Sequence, residues 1–167
     1  MKTEAKLHFE LAGQADLNEL ESIRQHAFQP IFDSFRHILG DTIYEAAQQP
    51  EDLAQQDFLR SLLEPDSIWT TWKASSEQQM VGFISIRLDQ ENQVGEIGLN
   101  AIDPVFSKRG FGTQMYQFAL DVMREAGMKV ATVATGGDPS HLPARKAYRK
   151  AGFDVEIPSV WMCQKLS

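Results

Sequence analysis

A single cysteine, Cys163, among 167 residues leaves no partner for an intramolecular disulfide, so nothing points to an oxidising compartment. Its setting, Val160-Trp161-Met162-Cys163, is apolar and reads as a buried small hydrophobe rather than a nucleophile. No stretch reaches the ~20 apolar residues that a membrane-spanning helix needs. The N-terminal MKTEAKLHFEL has neither the apolar core nor the small-residue cleavage site of a secretory leader. Positive charge is scarce: 16 Lys and Arg against 23 Asp and Glu give a net charge of -7, the wrong sign for gripping a phosphate backbone. There is no internal repeat, low-complexity run or linker. The expectation is one cytoplasmic domain over residues 1–167, with no metal, membrane or nucleic-acid partner.

What is present is enough apolar material, 43% of residues, to fill one core. Leu7, Phe9 and Leu11 alternate with polar residues as a first strand. Asp16 and Glu19 form a capping-box pattern ahead of a helix through Ala27. Pro30 is expected to interrupt it, and a second helical stretch closes at Gly40. Residues 41–63 carry further helical signals. Strands follow over 68–73, 80–88 and 94–102, joined by short polar turns as an antiparallel meander. A helix over 110–126, with Phe111, Met115, Phe118 and Val122 on one face, precedes an apolar strand over 129–135 that reads as central and doubly covered. A helix over 142–151 and strands over 153–157 and 160–165, split by Pro158, complete the order β-α-α-β-β-β-α-β-α-β-β. That is a single mixed α+β domain with a mostly antiparallel sheet of about seven strands flanked by helices.

The segment Ser107-Lys108-Arg109-Gly110-Phe111-Gly112-Thr113 runs from a strand into a helix. Its glycines permit close backbone approach, and the helix start offers unpaired N–H groups beside two cations, a setting suited to pyrophosphate. A plain glycine turn entering a helix is the other reading. No Gly-Lys-Ser/Thr follows, which excludes a nucleoside-triphosphate loop, and Met115 stands where a dinucleotide fingerprint has its third glycine. The segment resembles the acetyl-CoA loop of the GNAT superfamily of N-acetyltransferases, Gln/Arg-x-x-Gly-x-Gly/Ala. Gly110 and Gly112 match, while Ser107 departs from the first position. The resemblance implies backbone contacts from Arg109, Gly110, Phe111, Gly112 and Thr113, with Lys108 and Arg109 supplying charge. The preceding Ile102-Asp103-Pro104 resembles the family's Val-x-Pro strand end, which implies that Ala101 and Ile102 pair with the pantetheine arm.

About forty residues on, His141-Leu142-Pro143-Ala144 through Tyr148, Gly152 and Phe153 resembles the family's Asn-x-x-Ala-x-x-x-Tyr-x-x-x-Gly-Phe. Ala144 matches and is implied in cofactor binding, as is His141, which replaces Asn. Tyr148 either packs through its ring or donates a proton to the leaving thiolate, whose conjugate acid has a pKa of about 8.5. Lys146, Arg149 and Lys150 are either a solvated helix face or contacts to the cofactor's 3′-phosphate. Glu96 is either the base that deprotonates an amine or half of a cross-strand ion pair. Strict alternation groups it with Gly98, Asn100 and Ile102 unless a bulge intervenes. Asp138 is the second choice of base. The acceptor pocket is expected from the N-terminal helices and the loops around residues 28–45. The resemblance implies an acetyl-CoA-dependent N-acetyltransferase acting on an amine of a small molecule or peptide, and a homodimer paired through the final strands. The alternative is an inactive acyl-CoA-binding sensor or interaction module.

Overall fold

The computed structural model describes residues 5–166; residues 1–4, on which part of the expectation about a leader falls, and Ser167 lie outside the described residues. Strands β2 (Trp69–Ser76) and β3 (Gln79–Asp89) form a hairpin in which Glu77 and Gln78 both take positive φ, 51° and 68°. That is the hand of turn whose twist suits a two-residue connection. Strand β4 (Val94–Ile102) returns antiparallel to β3, and β1 (His8–Leu11) lies antiparallel to β2. Strand β5 (Val130–Val133) runs parallel to β4, giving the order β1-β2-β3-β4-β5.

Helices α1 (Leu17–Ile43) and α2 (Gln49–Leu62) cover one face, meeting Phe83 and Ala101 through Leu20, Ile23, Leu59 and Leu62. Helices α3 (Phe111–Glu125) and α4 (Leu142–Ala151) cover the other, where Met115, Tyr116, Ala119 and Tyr148 pack with Ile84, Ile86 and Ile97. The buried stripe of α3 runs through Phe111, Met115, Tyr116, Ala119, Leu120 and Met123; Phe118 instead stacks on Phe9 at 3.9 Å. No helix among the described residues is long and apolar enough to cross a membrane.

Four expectations change. Pro30 does not divide α1, because it lies on the exposed side, where the carbonyl it leaves unpaired, that of His26, can bond to water. The break comes at Gly40 (φ 71°, ψ 160°), followed by a π-helical turn over Tyr44–Gln48. Residues 153–166 form no ladder among the described residues, so the sheet has five strands rather than about seven. A strand needs an edge to pair with, and here Val155, Ile157 and Val160 are 87%, 93% and 88% exposed, with no layer of the same chain to cover them. In consequence β5 is an edge strand with Val130 exposed, not a doubly covered one, and Cys163 is exposed rather than buried.

Candidate active site

Strands β4 and β5 pair only from Val94↔Val130 to Ile97↔Val133 and then part, leaving the β4 edge from Gly98 to Ile102 without a strand on that side among the described residues. The parting coincides with a bulge: Ile84 faces Asn100 and Ile86 faces Ile97, so two β4 residues stand opposite Ser85 alone. Side chains satisfy the carbonyls that the bulge frees. Ser85 Oγ donates to the Leu99 carbonyl at 2.8 Å, and Asn100 Nδ2 donates to the Gly98 carbonyl at 2.9 Å. Glycine is required at 98, since a Cβ there would sit 2.5 Å from the Trp69 ring.

The bulge overturns strict alternation. Glu96, Gly98, Leu99 and Ala101 face the α1/α2 layer, whereas Ile97, Asn100 and Ile102 face α3 and α4. Glu96 thus parts from Asn100 and Ile102. Ala101 and Ile102, on opposite faces, share the freed β4 edge.

The loop after β4 makes a short 3-10 turn over Pro104–Phe106, capped by Asp103, and reaches α3 through two left-handed residues, Lys108 (φ 61°) and Gly110 (φ 78°). Gly110 is the N-cap of α3 and has no side chain to bond the helix's first N–H groups. Lys108 and Arg109 are exposed beside that helix end, and the Arg109 guanidinium lies 5.3 Å over the Phe106 ring. Phe111 is buried and anchors α3, and Gly112 brings the helix against Ala147 of α4. Thr113 follows in the first turn, half-buried. This end of α3 carries no acidic residue, so its positive dipole end is unopposed within the first turn.

Tyr148 is 6% exposed and reaches the fork from α4. Asn100 Nδ2 donates to its hydroxyl at 3.2 Å, which leaves the phenolic proton free to be given elsewhere. Tyr116 donates to Asn100 Oδ1 at 3.0 Å, and its ring lies 4.3 Å from that of Tyr148. Burial pushes the Tyr148 phenol above its ordinary value, and the adjacent Tyr116 hydroxyl and the hydrogen bond from Asn100 only partly offset that. It therefore stays protonated across neutral pH. Asn100 and Tyr116 were not legible as site residues: the bulge turns Asn100 toward Tyr148, and Tyr116 lies outside the stripe of α3 read from periodicity.

On the α1/α2 side of the fork lies a cleft of about 570 Å³, walled by Phe28, Phe32 and Phe35 of α1, Phe58 of α2 and Trp69 of β2. Glu96, His141, Ala144 and Tyr148 also line it. Glu96 forms the cross-strand ion pair with Arg87, through Oε2 at 2.5 Å, while lining the cleft. Asp138 Oδ1 binds His141 Nδ1 at 2.5 Å, and Asp138 also caps the short 3-10 turn Pro139–His141. Burial raises the Asp138 carboxyl, but the bonds from Ser140 and His141 outweigh it and hold the group below its usual value. Asp138 thus holds the His141 ring. Arg149 is paired with Glu156 at 2.5 Å, so of the basic face only Lys146 and Lys150 lack an ion pair among the described residues.

The profile of the Acetyltransferase (GNAT) family matches residues 31–153, which span the fork, both signature helices and all of the cleft lining except Phe28. The chain belongs to the GNAT family of acetyltransferases. Solved structures show the same fold at low identity. A PaiA N-acetyltransferase from Thermoplasma acidophilum in complex with coenzyme A aligns with a TM-score of 0.67 at 15% identity, over 92% of this chain and 93% of that one. A Bacillus subtilis acetyltransferase in complex with CoA aligns at 0.61 and 18%, over 91% of this chain and 79% of that one. An aminoglycoside N-acetyltransferase in complex with CoA aligns at 0.60 and 16%, over 100% of this chain and 99% of that one. No curated protein matches this GNAT chain.

Proposed function

We propose that the chain is a cytoplasmic, acetyl-CoA-dependent N-acetyltransferase that moves an acetyl group onto an amine of a small molecule or peptide by direct attack with both substrates bound. The observation that carries this reading is the fork: β4 leaves β5 where the protonated Tyr148 phenol meets the aromatic cleft. The residues fit coenzyme A. The uncapped start of α3 with Lys108, Arg109, Gly110, Phe111, Gly112 and Thr113 suits the pyrophosphate. The free β4 edge at Ala101 and Ile102 suits the amide-bearing arm, and His141 and Ala144 flank the reacting end. When bound, acetyl-coenzyme A would supply the acetyl group as a thioester.

The acceptor arrives as an ammonium with a pKa of about 10.4 and must lose a proton before its nitrogen can attack. Glu96 takes that proton through a water. Arg87 holds its Oε2, leaving Oε1 as the accepting oxygen. The nitrogen bonds to the acetyl carbon, the carbon–sulfur bond breaks, and Tyr148 gives its proton to the departing sulfur. The acylated nitrogen then sheds its second proton, which returns through water to the Tyr148 phenolate, while Glu96 passes the first to solvent.

Thiol release measured across a panel of amines tests the reaction. Glu96→Gln is expected to lower kcat/KM about a hundredfold. An unchanged kcat/KM sends the base role elsewhere. Coenzyme A binding with no thiol release from any amine replaces the enzyme by the sensor reading.

The same reading includes a homodimer. The outer edge of β5 is unpaired among the described residues, and the exposed Val160, Trp161 and Met162 of one copy supply a strand for another's edge. Sedimentation is expected to give a dimer for the wild type and a monomer for Trp161→Asp. A wild-type monomer at tens of micromolar removes this pairing.

A further inference from the structure

The cleft beside Tyr148 has many rings and little uncompensated charge. Phe28, Phe32 and Phe35 are spaced i, i+4 and i+7 along α1, which places them on one strip of the helix. Phe58 and Trp69 complete the wall from α2 and β2. Trp69 is seated against Gly98, where no side chain intervenes, and the Arg87 guanidinium lies 5.5 Å over its ring. The cleft therefore presents ring faces from three elements.

Two carboxylates reach the same space, Asp52 and Glu96, and both have protein partners. Glu96 is neutralised by Arg87. Asp52 is buried and accepts from the Tyr44 hydroxyl and from Gln48 Nε2, each at 2.8 Å. The π-helical turn Tyr44–Gln48 brings both donors to it. The Tyr44 phenol is pushed up to about 12, by burial first and then by the Asp52 carboxylate, so it remains the donor throughout the working pH range. With the Arg87 charge counted, the cleft wall offers one uncompensated negative charge. One ammonium can be matched there; a chain or ring system bearing several would leave the rest without a free carboxylate to face.

Resting on the N-acetyltransferase reading, we propose that the acceptor is a primary monoamine joined by a short chain to a flat apolar or aromatic body, and not a polycation. The rings take up the body by stacking and edge contact. The ammonium sits toward Glu96 and Asp52, with ring faces adding cation–π attraction before it is deprotonated. Aminoglycoside acetyltransferases share this fold, one of them in complex with sisomicin, but this cleft matches a different acceptor chemistry.

The test measures 2-phenylethylamine, n-hexylamine, spermidine and sisomicin two ways: by thiol release, and by calorimetric binding to the coenzyme A-saturated protein. The expected kcat/KM and affinity for 2-phenylethylamine exceed those for spermidine and sisomicin at least thirtyfold, with n-hexylamine between. Phe32→Ala is expected to weaken 2-phenylethylamine about tenfold while changing spermidine less than threefold. Phe58→Ala, at an exposed ring, is the companion variant if Phe32→Ala folds poorly. Equal or better use of spermidine or sisomicin overturns the proposal, as does an equal loss for every amine in the Phe variants. Should thiol release fail with every amine, the enzyme reading falls, and calorimetry alone decides the ligand class: selective binding of 2-phenylethylamine supports it and preference for a polycation overturns it.

Discussion

Replacing Gly110 by valine is expected to weaken coenzyme A binding about a hundredfold, which corresponds to about 3 kcal/mol, while the domain remains folded. The reason is backbone conformation and not space. Gly110 sits at φ 78° and ψ 3°, yet a Cβ there would meet nothing within 4 Å. A β-branched residue held in that region costs roughly 1–3 kcal/mol. The surrounding loop is exposed, so it relieves the strain by moving rather than by unfolding the core beneath it. What is lost is the arrangement of N–H groups at the start of α3, together with the placement of Lys108 and Arg109. Gly110→Asn is expected to retain most of the affinity, because asparagine tolerates the left-handed region. Gly112→Ala is expected to be mild as well, since its Cβ would lie at an ordinary 3.8 Å from Ala147. Isothermal titration with coenzyme A ranks the three variants, and normal affinity in Gly110→Val would remove this loop from the binding site.

The pattern of agreement between sequence and structure follows from how local each signal is. Strand β4 spans Val94–Ile102, the range given by its alternation and flanking turns, and the β2–β3 connection falls at Glu77-Gln78. Both depend on residues close in sequence. The stop at Pro30 failed because local chemistry does not say which way the freed carbonyl points; on the solvent side water satisfies it. The β4 bulge is invisible in β4 itself, since it depends on a cross-strand partner, Ser85, and on Asn100 folding back on the Gly98 carbonyl. That single residue of slippage separated Glu96 from Asn100 and brought Asn100 to Tyr148. Residues 153–165 carry an alternating pattern, but a ladder also requires an edge, and within one described chain they find none. The glycines at the start of α3 and Tyr148 within α4 were legible as candidates because their spacing lies within helices, which such slippage does not disturb. The aromatic cleft was legible only as a region, because Phe28, Phe32 and Phe35 have the periodicity of a core stripe and only the fold shows that the cleft opens against them.

Tyr148→Phe is expected to lower kcat by two to three orders of magnitude, within the ~10²–10⁴ typical of a positioned general acid, with coenzyme A affinity changed less than twofold. The substitution keeps the ring, which packs against Tyr116 and Phe153, and removes only the hydroxyl at the fork. Its structural cost is small: Asn100 Nδ2 loses one acceptor but keeps the Gly98 carbonyl at 2.9 Å, so stability falls by about 1 kcal/mol. The pH dependence separates proton donation from packing. In the wild type the phenol's ionisation is pushed upward by burial, so the donating form persists as pH rises through neutrality and is lost only above its ordinary value of 10.0. The wild-type kcat should therefore fall in that alkaline range, and the residual rate of Tyr148→Phe should not. Asn100→Ala, which removes the bond to the hydroxyl but leaves the phenol, should cost less and keep the alkaline fall. A Tyr148→Phe enzyme with wild-type turnover, or one whose alkaline limb is unchanged, would assign the proton on sulfur to water and leave Tyr148 as a packing residue of α4.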